Sequence, residues 1–139
     1  REFLTQAATG GIYEVQAGKL AQNRATANEV KSFGAMLVKD HTAANDELRA
    51  LAARKGVALP TTLPGDKQKQ LDQLAKAQKF DQEFLSQVGL NDHRHDIALF
   101  EAAGKDADDP EIQTFALKAL PKLKAHKDHA EDLAVSIKR

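Results

Sequence analysis

Cysteine is absent from this 139-residue sequence. That one absence excludes disulfides, zinc–thiolate sites, iron–sulfur clusters and thioether-attached haem. A surplus of either charge is missing too, because 20 Lys and Arg balance 20 Asp and Glu. Proteins that bind nucleic acid carry a basic excess or stripe, so nucleic acid is not expected as a partner. Both signs are mixed along every segment, as on the solvated face of a helical protein. No apolar run approaches the ~20 residues of a transmembrane helix. Runs of β-branched residues are lacking, which leaves no strand signal. The sequence opens at Arg1 rather than Met, as a mature product relieved of a signal peptide would.

What is present is helical. Ala, Leu, Lys, Gln, Glu and Asp fill most positions, and their apolar periodicity predicts four long helices. The first covers about Glu2 to Arg24, with its turn at Thr26 to Asn28. The second starts near Asn28, read as its N-cap, and continues to Arg54 or Lys55. Gly56 then suits the left-handed residue that ends a helix. "GVALPTTLPGD", residues 56–66, is the one extended irregular stretch, and "DKQKQLDQLAKA" predicts a short helix after it. The third long helix is expected from Phe80 or Asp81 to about Ala103, ending at Gly104. Asp109 can cap the fourth, Pro110 fits its first position, and it runs to about Ile137. Short links between long helices argue for an all-α up-down four-helix bundle, one domain over residues 1–139. The short extra helix lies in the connection between helices two and three.

Four polar residues interrupt the apolar stripes of these helices. Helix two carries Val30, Gly34, Leu37, His41, Ala44, Leu48 and Leu51 at helical spacing, with one imidazole among them. Helix four repeats the pattern through Ile112, Ala116, Ala119, Leu123, His126, Ala130, Leu133 and Ile137. On helix three His93 stands four residues before Ile97, and on helix one Glu14 falls in the stripe Phe3, Ala7, Gly10, Ala17 and Ala21. Glu14 lies twelve residues before Thr26 and His41 fifteen after it; His93 lies fourteen before Ala107 and His126 nineteen after it. At ~1.5 Å per residue, all four sit near mid-height in an up-down bundle and converge.

Neutral imidazole and carboxylate are ordinary ligands of Zn²⁺, Cu²⁺, Ni²⁺ and Fe²⁺. The candidate metal ligands are therefore Glu14, His41, His93 and His126. Asp40, Asn45, Asp92 and Asp96 are near enough in sequence to orient the rings. His126 and His129, three apart, could chelate together; His95 and His129 taken alone read as surface residues. The same layer has a structural reading. An unpaired buried polar group costs ~1–3 kcal/mol, and Glu14 could be the partner of a core histidine. The chain is then a non-catalytic structural or interaction module. No nucleophile–base pair or recognised catalytic motif is present, so enzyme status stays open, with a redox-metal oxidase or non-covalent haem between two His as further readings.

Two more features need an explanation. Gly10, Gly11 and Gly18 inside helix one cost ~1 kcal/mol each against alanine, so close helix approach or room for a ligand must compensate. Pro121, five residues before His126, is expected to bend helix four and free the carbonyl of Leu117.

The segments "EFLTQAATGGIYEVQAGKLA", "VKSFGAMLVKDHTAANDEL", "FDQEFLSQVGLNDHRHDIALFE" and "PEIQTFALKALPKLKAHKDHAEDL" together cover nearly the whole chain. In that order they resemble the bacterial family catalogued as domain of unknown function 4142. The resemblance implies a ferritin-like helical bundle, exported to the periplasm or cell envelope, and supplies no established activity. It marks Glu14, Asp40, His41, Phe80, Asp81, His93, Pro121 and His126. Di-iron ferritins use Glu-x-x-His pairs, and no Glu here has a His three residues later, so a ferroxidase centre of that kind is not expected.

Overall fold

Helices begin and end here where the breakers stand, with instructive exceptions. The computed structural model describes residues 2–137. It contains α1 (Glu2–Arg24), α2 (Asn28–Arg54), α3 (Gly65–Ala75), α4 (Phe80–Phe84), a π-helical segment (Leu85–Asp92), α5 (His93–Asp106) and α6 (Pro110–Ile137), and no strand among the described residues. Gly56 follows α2 with φ of 69°, the left-handed stop expected of it. Pro110 opens α6, and the Asp109 carboxylate accepts the Glu111 N–H at 2.9 Å.

Asn28 is not the cap of α2. Ala27 occupies that position with an extended backbone and no side-chain cap bond. Asp81, from α4, supplies the missing acceptor: its carboxylate receives the N–H groups of Thr26 at 2.9 Å and Ala27 at 2.8 Å. A long-range cap of this kind ties the α1–α2 turn to the start of the second half. Asp81→Ala is expected to cost ~1 kcal/mol, in the range for a lost N-cap, and to lower the melting temperature by a few degrees in a thermal scan.

The third long helix differs most from expectation. It is continuous from Phe80 but carries one π-helical stretch, and it passes through Gly104 to Asp106. Gly104 serves packing rather than termination, since a Cβ there would meet Leu117 Cδ2 at 2.7 Å.

Burial divides the apolar core into two clusters. One gathers Tyr13, Ala17, Val30, Phe33, Leu37, Phe84, Val88, Ala130 and Leu133, with Leu71 and Leu74 of α3. The other gathers Leu4, Ala8, Leu48, Leu51, Phe100, Phe115, Leu120 and Leu123. α1 and α6 run from the second cluster to the first, whereas α2 and the Phe80–Asp106 stretch run from the first to the second. Strict alternation is therefore not kept. The link after α2 must carry the chain back from one cluster to the other, and Val57 and Leu59 pack on the second cluster while Leu63 packs on the first.

Candidate metal centre

Among the described residues, the four polar residues singled out by periodicity are the buried polar ones. Glu14 is 1% exposed, His41 7%, His93 0% and His126 3%. Local sequence explains two of these placements. His41 follows Leu37 by one turn of α2 and His126 follows Leu123 on α6, so both rings enter the interior with the stripe that carries them. His93 is set by the π segment. Its Nδ1 donates to the Val88 carbonyl five residues back at 2.8 Å, a reach that the wider π turn allows.

Hydrogen bonds then decide which ring nitrogen carries a proton. His93 Nδ1–H is committed to Val88, so Nε2 keeps its lone pair. His126 Nε2–H donates to Asp40 Oδ2 at 2.7 Å, so Nδ1 keeps its lone pair. Among the described residues, His41 Nε2, His93 Nε2 and His126 Nδ1 are buried with no hydrogen-bond partner. One nitrogen from each ring lies within 4.8 Å of the others. The ring centroids are 5.4–5.8 Å apart.

Electrostatics keep these rings neutral. Burial pushes His41 down to about 3, helped by the neighbouring His93 and His126. Burial also pushes His93 down to about 4, against the Val88 hydrogen bond. His126 is lowered by burial too, partly offset by Asp40. Asp40 is itself held below its ordinary value, because the bonds from His126 and Lys122 outweigh its burial. Glu14 moves the other way: burial, then the carboxylates of Asp96 and Asp92, raise it well above the usual carboxylate range.

Glu14 sits beside the triad rather than within it. Its Oε1 is 3.9 Å from His41 Nε2 and 3.8 Å from His93 Nδ1, the nitrogen already given to Val88. Both Glu14 oxygens are buried without a hydrogen-bond partner among the described residues. Of the four candidate orienting residues, Asp40 bonds a ring, and that ring is His126 rather than its chain neighbour His41. Asp92 leaves one buried oxygen without a partner. His95 and His129 are exposed, as expected, and His129 packs edge-on against Phe33 at 5.1 Å instead of joining His126. The π segment and the Val88 carbonyl had no signal in the sequence, since helix period alone does not report an extra residue in a turn.

No helix among the described residues is long and apolar enough to cross a membrane. The chain is similar to two solved structures, CopM in its Cu(I)-bound form and in its Cu(II)-bound form. The first aligns with a TM-score of 0.83 at 16% identity, covering 98% of this chain and 95% of that one. The second aligns at 0.81 and 16%, covering 96% and 94%. At this identity the likeness shows a shared helical fold. No curated protein matches the sequence. The family model described as "Domain of unknown function (DUF4142)" matches residues 1–133. The chain belongs to that family.

Proposed function

We propose that this protein binds a transition-metal ion, copper foremost, through His41, His93 and His126, with Glu14 as the adjoining carboxylate. The observation that carries the reading is that His41, His93 and His126 each keep a buried, unpartnered ring nitrogen, and that the three rings offer nitrogens lying within 4.8 Å of one another. Each such group costs ~1–3 kcal/mol when left unsatisfied, and a cation shared by three lone pairs satisfies all of them at once. The donor set is all imidazole and carboxylate, which suits Cu²⁺, Zn²⁺, Ni²⁺ and Fe²⁺, and affinity peaks at Cu²⁺ along that series. CopM, with the same fold, has been solved with Cu(I) and with Cu(II), which favours copper. When bound, the ion supplies positive charge that draws Glu14 towards its ionised form. The order in which the helices cross the two clusters supports a ferritin-like bundle with one long crossover. The family resemblance supports a periplasmic or cell-envelope setting.

The test is elemental analysis of untagged protein, followed by titration of the metal-free protein with the four ions. About one equivalent retained through dialysis is expected for an ion held by one three-nitrogen site. No retention and no thermal stabilisation by any ion would return the layer to the structural reading, a core device in a non-catalytic module. That reading draws support from the two rings already bonded to Val88 and Asp40.

Acid release distinguishes this site from exposed histidines. A proton displaces the ion only where it can occupy the same lone pair, so a depressed pKa delays release. Ordinary imidazoles near 6.5 would lose an ion as pH falls through ~6. With His41 near 3 and His93 near 4, the bound fraction is expected to hold from neutrality to about pH 5 and to fall below it. Dialysis at stepped pH with elemental analysis reads this directly. Half-release at ~6 or above would show rings open to solvent protons.

A further inference from the structure

A cavity of about 190 Å³ lies between α2 and α6, on the side of the second apolar cluster. Its walls include Ala44, Leu48, Phe100, Phe115, Ala119 and Leu123. The Phe100 and Phe115 rings stand 6.0 Å apart and tilted by 41°, an aromatic wall against which another ring can pack. The rings of His41 and His126 also line the cavity, and their unpartnered nitrogens are buried. Two ion pairs cross its rim from α2 to α6: Lys118 with Glu47 at 2.9 Å and Lys122 with Asp40 at 3.3 Å.

From this we infer that the cavity is a binding site for a small neutral aromatic molecule with one hydrogen-bond donor, of the simple phenol class. Size sets the first limit. An apolar protein cavity of ~150 Å³ admits benzene, so this one holds one ring with a small substituent. Charge sets the second. The lysines and carboxylates at the rim cancel in pairs, so nothing there attracts an ion of either sign. Polarity sets the third. Apart from the two rim ion pairs and the rings of His41 and His126, the polar groups in its lining are Asp96 and the Asn45 side chain, and one of the two is a carboxyl. A ligand that donates at one end fits them, and a ligand that brings a second carboxylate does not. A largely apolar pocket with a few convergent polar groups is the usual form of a small-molecule site. The inference does not rest on metal binding, because the site is complete in the metal-free chain.

The experiment is a titration of metal-free protein with phenol, benzene and benzoate, followed by calorimetry and by methyl resonances in the magnetic resonance spectrum. Phenol is expected to saturate at one equivalent and to shift the methyls of Ala44, Ala119 and Leu123. Benzene and benzoate are expected to bind at least about tenfold more weakly, for want of the donor and for charge respectively. Ala44→Phe and Ala119→Phe fill the cavity from opposite walls and should each weaken phenol about tenfold or more, with metal retention unchanged. The wild-type methyl shifts locate the ligand even if one variant fails to fold. No saturable phenol binding, shifts confined to other residues, equal binding in both variants, or benzoate binding as tightly as phenol would each overturn the site. Failure of the metal titration would leave a positive phenol result standing.

Discussion

His41→Ala, His93→Ala and His126→Ala are each expected to abolish metal retention. Each removes one of three convergent nitrogens from separate helices, and no neighbouring imidazole can replace it. His95 and His129 are exposed, and His129 is engaged with Phe33. The loss should exceed the 10–100-fold typical of a removed outer-shell hydrogen bond. Asp40→Asn belongs in that milder range, because it weakens the bond that holds His126 Nε2 and so the orientation of Nδ1. His95→Ala and His129→Ala should leave retention unchanged. Circular dichroism on the same samples separates loss of a ligand from loss of fold. An ion still held at wild-type affinity by both the His41 and His126 variants would sink the proposed site.

A comparable effect on stability is expected at the crossing of α1 and α2. Gly18 and Gly34 face each other there. A Cβ on Gly34 would meet the Gly18 carbonyl oxygen at 2.7 Å and Ala21 Cβ at 2.8 Å, and one on Gly18 would meet the Gly34 carbonyl oxygen at 2.6 Å. The obstructing atoms are largely backbone, so neither clash can be relieved by a rotamer change. The helices must separate, which loosens Ala17 and Ala21, both 0% exposed. Overpacking of this kind costs ~1–3 kcal/mol, and the ~1 kcal/mol that alanine gains in helix propensity offsets part of it. Gly34→Ala is expected to lower the melting temperature by a few degrees, about 4 °C for a net ~1 kcal/mol, and Gly34→Leu to prevent native packing. Gly65→Ala is the control: no atom lies within 4 Å of a Cβ there, so the melting temperature should hold or rise slightly. A Gly34→Ala protein as stable as the parent would show that the helices separate without penalty. The same contact explains why α1 tolerates Gly18: close approach, rather than room for a ligand, compensates for it.

The buried polar layer was legible because amphipathic periodicity reports burial. A histidine three or four residues beyond a core leucine must enter the core or break the stripe, and His41 and His126 both enter it. Their common height was predicted on an up-down order that the chain does not follow, since α2 and the Phe80–Asp106 stretch cross the clusters in the same sense. The prediction survives because a residue midway along a helix stays at mid-height whichever way the helix runs. Ala119 and Leu120 show where periodicity is weaker. The stripe assigned Ala119 to the seam, but Leu120 is the buried one and Ala119 is half-buried. A phase error of one residue is enough to exchange them.

Sequence by itself determined the helical class, the bounds of α1, α2 and α6, the identity of the four buried polar residues and the absence of any thiol donor. These follow from periodicity, breakers and composition, which act within a few turns of chain. Only the tertiary structure decided that Asp40 bonds His126 across two helices, that Asp81 caps α2 from more than 50 residues away, and that Glu14 stands beside the three nitrogens instead of among them. Those outcomes depend on rotamers, on the extra residue in the π turn and on the distance between helix axes. None of these is encoded in the spacing of residues along one helix.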